Sequence, residues 1–140
     1  MSAADEERLA AEVAEGLVKA LSIKQPYPHH IFNSGKDVEN RDWPTNVRGW
    51  VMVHAGLSTS ELDMAEPREA AMPRGGIVGM MKIVNCVQGM DSRWFFGRYG
   101  FVLGAAYPLP LIPCKGKLGF FLPPPEVCAA VAAVIERMRP

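Results

Sequence analysis

The sequence predicts an α+β domain in which about five or six short strands form a small, curved or closed sheet flanked by three or four helices. Three observations carry this reading. Twelve prolines and thirteen glycines divide the 140 residues into short pieces, which favours strands and turns over a helical bundle. Several interior segments alternate apolar and polar residues, whereas the two ends carry helical spacing. Finally, 49% apolar and 21% charged residues make a globular composition, and a chain of this length buries a core without staples. Residues 1–18 read as an acidic helical extension, and residues 19–140 as the domain proper, closed by a helix over 125–138.

Element by element, Ser2 and Asp5 can cap a first helix that carries Leu9, Val13 and Leu17. Lys19 to Gln25 alternates as a strand, with Leu21, Ile23 and Gln25 on one side and Ser22 and Lys24 on the other. Pro26 and Pro28 stop it and open a short helix, His29 to Ser34, which Gly35 ends. Val38 to Trp43 and Trp50 to Ala55 read as strands, separated by a turn at Pro44, Asn46 and Gly49. Ser58 with Glu61 resembles a capping box, starting a helix that Pro67 limits to two turns. Gly75-Gly76 is a turn before a long strand, Ile77 to Val87. Tyr99 to Ala106 and Lys117 to Leu122 add two strands, with a proline-rich loop between them at Pro108, Pro110 and Pro113. In the last helix Pro125 occupies the first turn, Val127, Val131, Val134, Ile135 and Met138 form an apolar stripe, and Arg137 and Arg139 suit the negative end of the dipole.

Composition narrows the function classes. Lys plus Arg equals Asp plus Glu at 15 each, so global charge predicts neither a nucleic acid nor a membrane as partner. The distribution is uneven: residues 1–16 hold five carboxylates against Arg8, a net of −4, and residues 71–118 hold six basic residues against Asp91, a net of +5. That asymmetry fits a basic face for an anionic ligand beside an acidic appendage, or simply a solvated surface. Cys86, Cys114 and Cys128 are scattered and odd in number, a pattern of free thiols in a reducing cytoplasm. No apolar run reaches the roughly 18 residues of a membrane span, and the acidic N-terminus does not resemble a secretory signal. The expectation is a soluble cytoplasmic domain without membrane contact.

No metal or cofactor is expected. His29, His30 and His54 are the only histidines, and the first two, adjacent on a helix, diverge by about 100°. Phosphate-cradling, dinucleotide-binding and zinc-protease motifs are absent from the sequence. The densest polar cluster is Gly35-Lys36-Asp37-Val38-Glu39-Asn40-Arg41. Lys36 lies where a turn can swing its amine across the next strand, and Glu39 and Arg41, two apart, share a strand face. Held together they recognise an anion. Partly desolvated, they could also do acid–base work, Glu39 activating water and Lys36 polarising a carbonyl or stabilising an oxyanion. The plainer alternative is an exposed Glu39–Arg41 pair, which contributes little. Tyr27, Trp43, Trp94 and Tyr99 either stack on bases or cover the core. His54, ending an apolar strand, is either a hydrogen-bonded core-edge histidine or a base.

Taken together, Leu21-Ser22-Ile23-Lys24-Gln25-Pro26-Tyr27 and Gly35 to Arg41 resemble the opening of an ASCH domain of the PUA-like superfamily. The family signature G-x-K-x-x-E-x-R reads here from Ser34 to Arg41: Lys36, Glu39 and Arg41 match, while Ser34 stands in place of the leading glycine. Gly49 to Ala55, Arg74-Gly75-Gly76-Ile77-Val78-Gly79, Tyr99 to Leu103, Pro113-Cys114-Lys115-Gly116 and Leu118-Gly119 extend the resemblance over residues 20–123. It implies a PUA-like small β-barrel with a cleft lined by Lys36 and Glu39. It also implies RNA or a modified nucleoside or nucleotide as partner, because PUA-like domains commonly bind such ligands. Ser22, Lys24, Gln25, Tyr27, Asn40, Arg41, His54, Tyr99 and Lys115 then become ligand-contact candidates.

Some small relatives of that family remove acyl groups from N4-acylated cytidine nucleosides, and others have been linked to RNA cleavage. The amidohydrolases carry a threonine nucleophile three residues after the lysine, a position held here by Glu39. Three readings therefore stand. One is a binding module in which cations meet phosphate, Glu39 accepts from a base and an aromatic stacks. Another is a metal-independent amidohydrolase, or less directly a ribonuclease, with Lys36 and Glu39 catalytic. The third is a protein-interaction or regulatory domain using the acidic N-terminal helix.

Overall fold

Residues 2–138 are described by a computed structural model. Along the chain run α1 (Ala3–Ala14), β1 (Ala20–Ile23), α2 (Tyr27–Asn33), β2 (Val38–Arg41), β3 (Gly49–Ala55), α3 (Pro67–Ala70), β4 (Gly76–Val87), β5 (Tyr99–Pro113), β6 (Phe120–Phe121) and α4 (Pro125–Arg137). The strands form one six-stranded mixed sheet in the order β2-β5-β4-β3-β1-β6. Among the described residues only β1 and β3 pair in parallel. The sheet curls into a half-barrel that brings its two edges towards each other. Trp43, just beyond β2, meets Phe120 of β6 at 5.8 Å between ring centroids, and Phe120 stacks on Phe101 of β5 at 6.0 Å. The α+β class with a barrel-like sheet and flanking helices is therefore present.

The period-two alternation explains how this sheet carries two cores. Val51 and Val53 of β3 face the concave side with Leu21, Ile23, Val78, Met81 and Phe101. Met52, between the two valines, faces the other side with Ala20, Ile77, Met80 and Phe121. Ile77 and Met80, three apart, share a face because the register shifts between Ile77 and Gly79, as a bulge requires. The convex side is covered by α1 and α4, whose Leu9, Ala10, Val13, Val127, Val131 and Ile135 are buried together. Ser2 accepts from the Asp5 backbone N–H and Asp5 reaches back to Ser2, the reciprocal cap expected from the sequence.

Several expected elements are corrected. Leu17 lies beyond α1 and is 67% exposed, and Met138 is 46% exposed, so neither extends its apolar stripe into the core. Arg139 lies outside the described residues. No helix starts at Ser58. Instead Glu66 caps α3 through the Arg68 and Glu69 N–H groups and Pro67 begins that helix, because proline's fixed φ and missing N–H suit a first turn. The proline-rich segment at 108–113 is strand, the second half of β5. Beyond Leu103, whose N–H still donates to the Asp37 carbonyl, that strand has only β4 as a strand beside it among the described residues, and an open edge tolerates a residue without an N–H. The last strand shrinks to Phe120–Phe121, since Gly119 at φ +68° breaks the extended chain before it. No helix among the described residues is long and apolar enough to cross a membrane.

Candidate functional site

One edge of the half-barrel is organised around the Lys36–Glu39–Arg41 segment. The chain reaches it through Gln25, whose buried amide donates to the Pro73 carbonyl at 2.9 Å and accepts from the His29 N–H at 3.1 Å, fixing the start of α2. At the other end of α2, Gly35 takes φ +73°, a left-handed turn that glycine makes without strain. The Lys36 N–H then returns to the His30 carbonyl at 3.1 Å. This turn sends the Lys36 side chain inward, where it is only 5% exposed. Its ammonium lies 5.4 Å from the Tyr27 ring centroid and 5.7 Å from that of Trp94, an arrangement the ring quadrupoles favour.

The strand that follows places Glu39 opposite Phe101 and turns its carboxylate to the same face as Arg41. The Arg41 Nε donates to Glu39 Oε2 at 3.0 Å, and Nη2 lies 2.9 Å from the same oxygen. Nη2 also donates to the Ser22 carbonyl at 2.8 Å, tying β2 to β1 across the mouth of the half-barrel. The Glu39 side chain is 7% exposed and that of Arg41 21%, so this is an ion pair on a buried carboxylate and not the exposed pair that spacing also allowed. Glu39 Oε1 takes no hydrogen bond from a described residue and is not sealed from solvent. Burial pushes the Glu39 carboxyl above its ordinary range, against the pull of Arg41 and Lys36. Burial also lowers Lys36, with Glu39 and Asp37 opposing. Each group is thus shifted towards its neutral form, a feature of functional clefts.

Over this group opens a cleft of about 600 Å³, lined by Tyr27, Trp43, Trp94 and Phe96 together with Ser22, Lys24, Lys36, Glu39, Asn40 and Arg41. One wall, the 92–97 loop, is placed by side chains of the signature segment. Asn40 donates to the Trp94 carbonyl and accepts from the Phe96 N–H, both at 2.9 Å, while the Ser92 hydroxyl donates to Asp37 at 2.6 Å. Phe96 is left 68% exposed at the rim. The opposite wall is Tyr27, whose hydroxyl donates to Glu61 at 3.3 Å and is raised by burial and then by Glu61.

The other expected ligand contacts divide. Gln25 is spent on positioning α2, and Tyr99 lies outside the cleft beside Arg98. His54 is buried in the neighbouring β3, its Nδ1 2.9 Å from Ser22 Oγ and its Nε2 2.7 Å from the Cys114 carbonyl. A carbonyl only accepts, so Nε2 carries the proton and, in the neutral ring, Nδ1 accepts from the Ser22 hydroxyl. Lys115 lines a second cleft with His54, while Ser22, Lys24 and Arg41 border both. The basic excess of 71–118 is likewise divided: Arg93 stacks on Trp94 at 4.5 Å and Lys115 and Lys117 line the second cleft, whereas Arg74 is spent on the Ala70 and Met72 carbonyls. Phe96 and Asp42 are cleft residues that spacing could not find, because Phe96 is more than fifty positions from Lys36 and neither belongs to a motif. Among the described residues no group of three or more His, Cys, Asp or Glu is placed to hold a metal ion. A scan of the chain against protein-family models matches none, and no curated protein matches it.

Proposed function

We propose that this cleft binds a nucleobase, presented by single-stranded RNA or by a modified nucleoside or nucleotide. The observation that supports the reading most is the pairing of buried Lys36 and Glu39, with half-buried Arg41, and aromatic walls in one cleft. A flat heteroaromatic ring stacks on Tyr27, Trp43 or Phe96, worth about 1–3 kcal/mol per base. Its polar edge meets a lysine donor and the free Glu39 oxygen, so one rim is read by opposite hydrogen-bonding groups. The resemblance of the signature segment to ASCH domains points the same way. Titration of wild-type protein with short single-stranded RNA, followed by tryptophan fluorescence, tests it. The expected result is a saturable change whose affinity falls as salt rises, because phosphate contacts displace counterions. No binding at low salt would refute it.

A second reading rests on the burial of Lys36 and Glu39 in the lining of one cleft, with the lysine shifted down and the carboxyl up by that burial. In it Glu39 takes a proton from water, the water oxygen attacks the acyl carbon of an N4-acylcytidine, and Lys36 stabilises the oxyanion. The C–N bond then breaks, the proton passes to the departing N4, and carboxylic acid and cytidine leave. Chromatography of protein incubated with N4-acetylcytidine distinguishes the two: cytidine release, lost in Lys36→Ala, favours turnover, and its absence leaves binding.

A further inference from the structure

We propose that the second cleft holds the phosphodiester linked to the base in the first, so that the protein grips a strand of at least two nucleotides and not a free nucleoside. The inference rests on the nucleobase reading above. The second cleft, of about 770 Å³, shares Ser22, Lys24 and Arg41 with the first, so the two are contiguous along one rim. Its chemistry differs. Lys24, Lys115 and Lys117 line it, no carboxylate of a described residue does, and Arg41 is already paired with Glu39.

The loop that carries Lys115 and Lys117 adds further donors. None of the main-chain N–H groups from Lys115 to Gly119 is hydrogen-bonded to a described residue, and a run of free amides beside ammonium groups suits an anion. The loop is seated on a fixed floor: a Cβ at Gly116 would lie 2.7 Å from His54 Cε1 and 3.1 Å from Ser22 Oγ, so only glycine lets the backbone approach this closely. Leu57 and Leu118, 77% and 99% exposed, supply apolar rim for a ribose or a second base, which a bare phosphate would not use.

The test compares cytidine with the dinucleotide CpC on wild-type protein and on Lys117→Glu, an exposed position whose replacement leaves the core untouched. Wild type is expected to bind CpC about tenfold more tightly than cytidine, the worth of one charge-assisted hydrogen bond. Lys117→Glu should remove most of that advantage and leave cytidine within about twofold of wild type, because opposite charge now faces the phosphate. Equal wild-type affinities for the two ligands, or equal losses of both in the variant, would overturn the strand inference while the nucleobase reading stands. Displacement of CpC by inorganic pyrophosphate at matched concentration would also overturn it, in favour of a general anion site. A Lys117-dependent CpC affinity that Lys36→Ala leaves unchanged would instead overturn the nucleobase reading, and no binding of either ligand would overturn both.

Discussion

Arg41→Met is expected to cost about 3–5 kcal/mol of stability at neutral pH, the penalty for stranding one member of a buried ion pair. Glu39 would keep its burial and lose its two nitrogen contacts at 2.9 and 3.0 Å, while the Ser22 carbonyl would lose its donor. Adding Glu39→Gln should recover much of the loss, because an amide carries no charge to strand. The pH dependence has a definite sign. Burial already holds the Glu39 carboxyl above its ordinary value of 4.5 with Arg41 present, so the folded state binds this proton more tightly than the unfolded chain does. That contribution is complete below the unfolded value and disappears as pH rises through the folded one. Without Arg41 the folded value rises further, so the variant's deficit relative to wild type should shrink as pH falls. Urea denaturation of both proteins at pH 7.5 and 5 measures this. A deficit under about 1 kcal/mol, the range of an exposed pair, or one independent of pH, would contradict the buried-pair account.

Gly79→Ala is expected to be nearly as damaging, for a steric reason. A Cβ there would stand 2.3 Å from Phe32 Cζ and 2.5 Å from the Tyr107 carbonyl oxygen. Phe32 belongs to α2 and Tyr107 to the paired strand β5, so the sheet cannot give way and the helix must move. Overpacking of this kind costs about 1–3 kcal/mol. The consequence reaches the cleft, because the Lys36 N–H is anchored on the His30 carbonyl of that same helix. The variant should therefore lose RNA affinity together with stability. Gly89→Ala is the control: nothing lies within 4 Å of the added Cβ, and a change within about 0.5 kcal/mol is expected. Equal effects at the two glycines would contradict the packing of α2 on β4.

The local parts of this site were legible in the sequence. Two-residue spacing put Glu39 and Arg41 on one face, and Gly35 marked the turn that delivers Lys36. The depth of the pair was not, because burial comes from Phe101 and the 92–97 loop, more than fifty residues away. That loop is held by Asn40 and Asp37, polar residues whose partners no periodicity reveals. The fold misreadings have the same origin. Proline looks like a terminator until it is known whether its nitrogen faces a partner strand, as at 108–113, or opens a helix, as at Pro67. Ser58 and Glu61 matched a capping box, yet the Ser58 hydroxyl turns to Ser60 and Glu61 receives Tyr27 at the cleft wall. A short motif states what residues can do and leaves open what competes for them.

Ultraviolet crosslinking of a single-stranded RNA to the protein, with mass spectrometric mapping of the modified residues, tests the central claim most directly. Crosslinks are expected at the cleft aromatics Tyr27, Trp43, Trp94 or Phe96, and should be lost in Lys36→Ala while that variant remains folded. Crosslinks confined to other faces of the protein, such as the α1–α4 side, or undiminished in Lys36→Ala, would contradict the assignment of this cleft to a nucleobase.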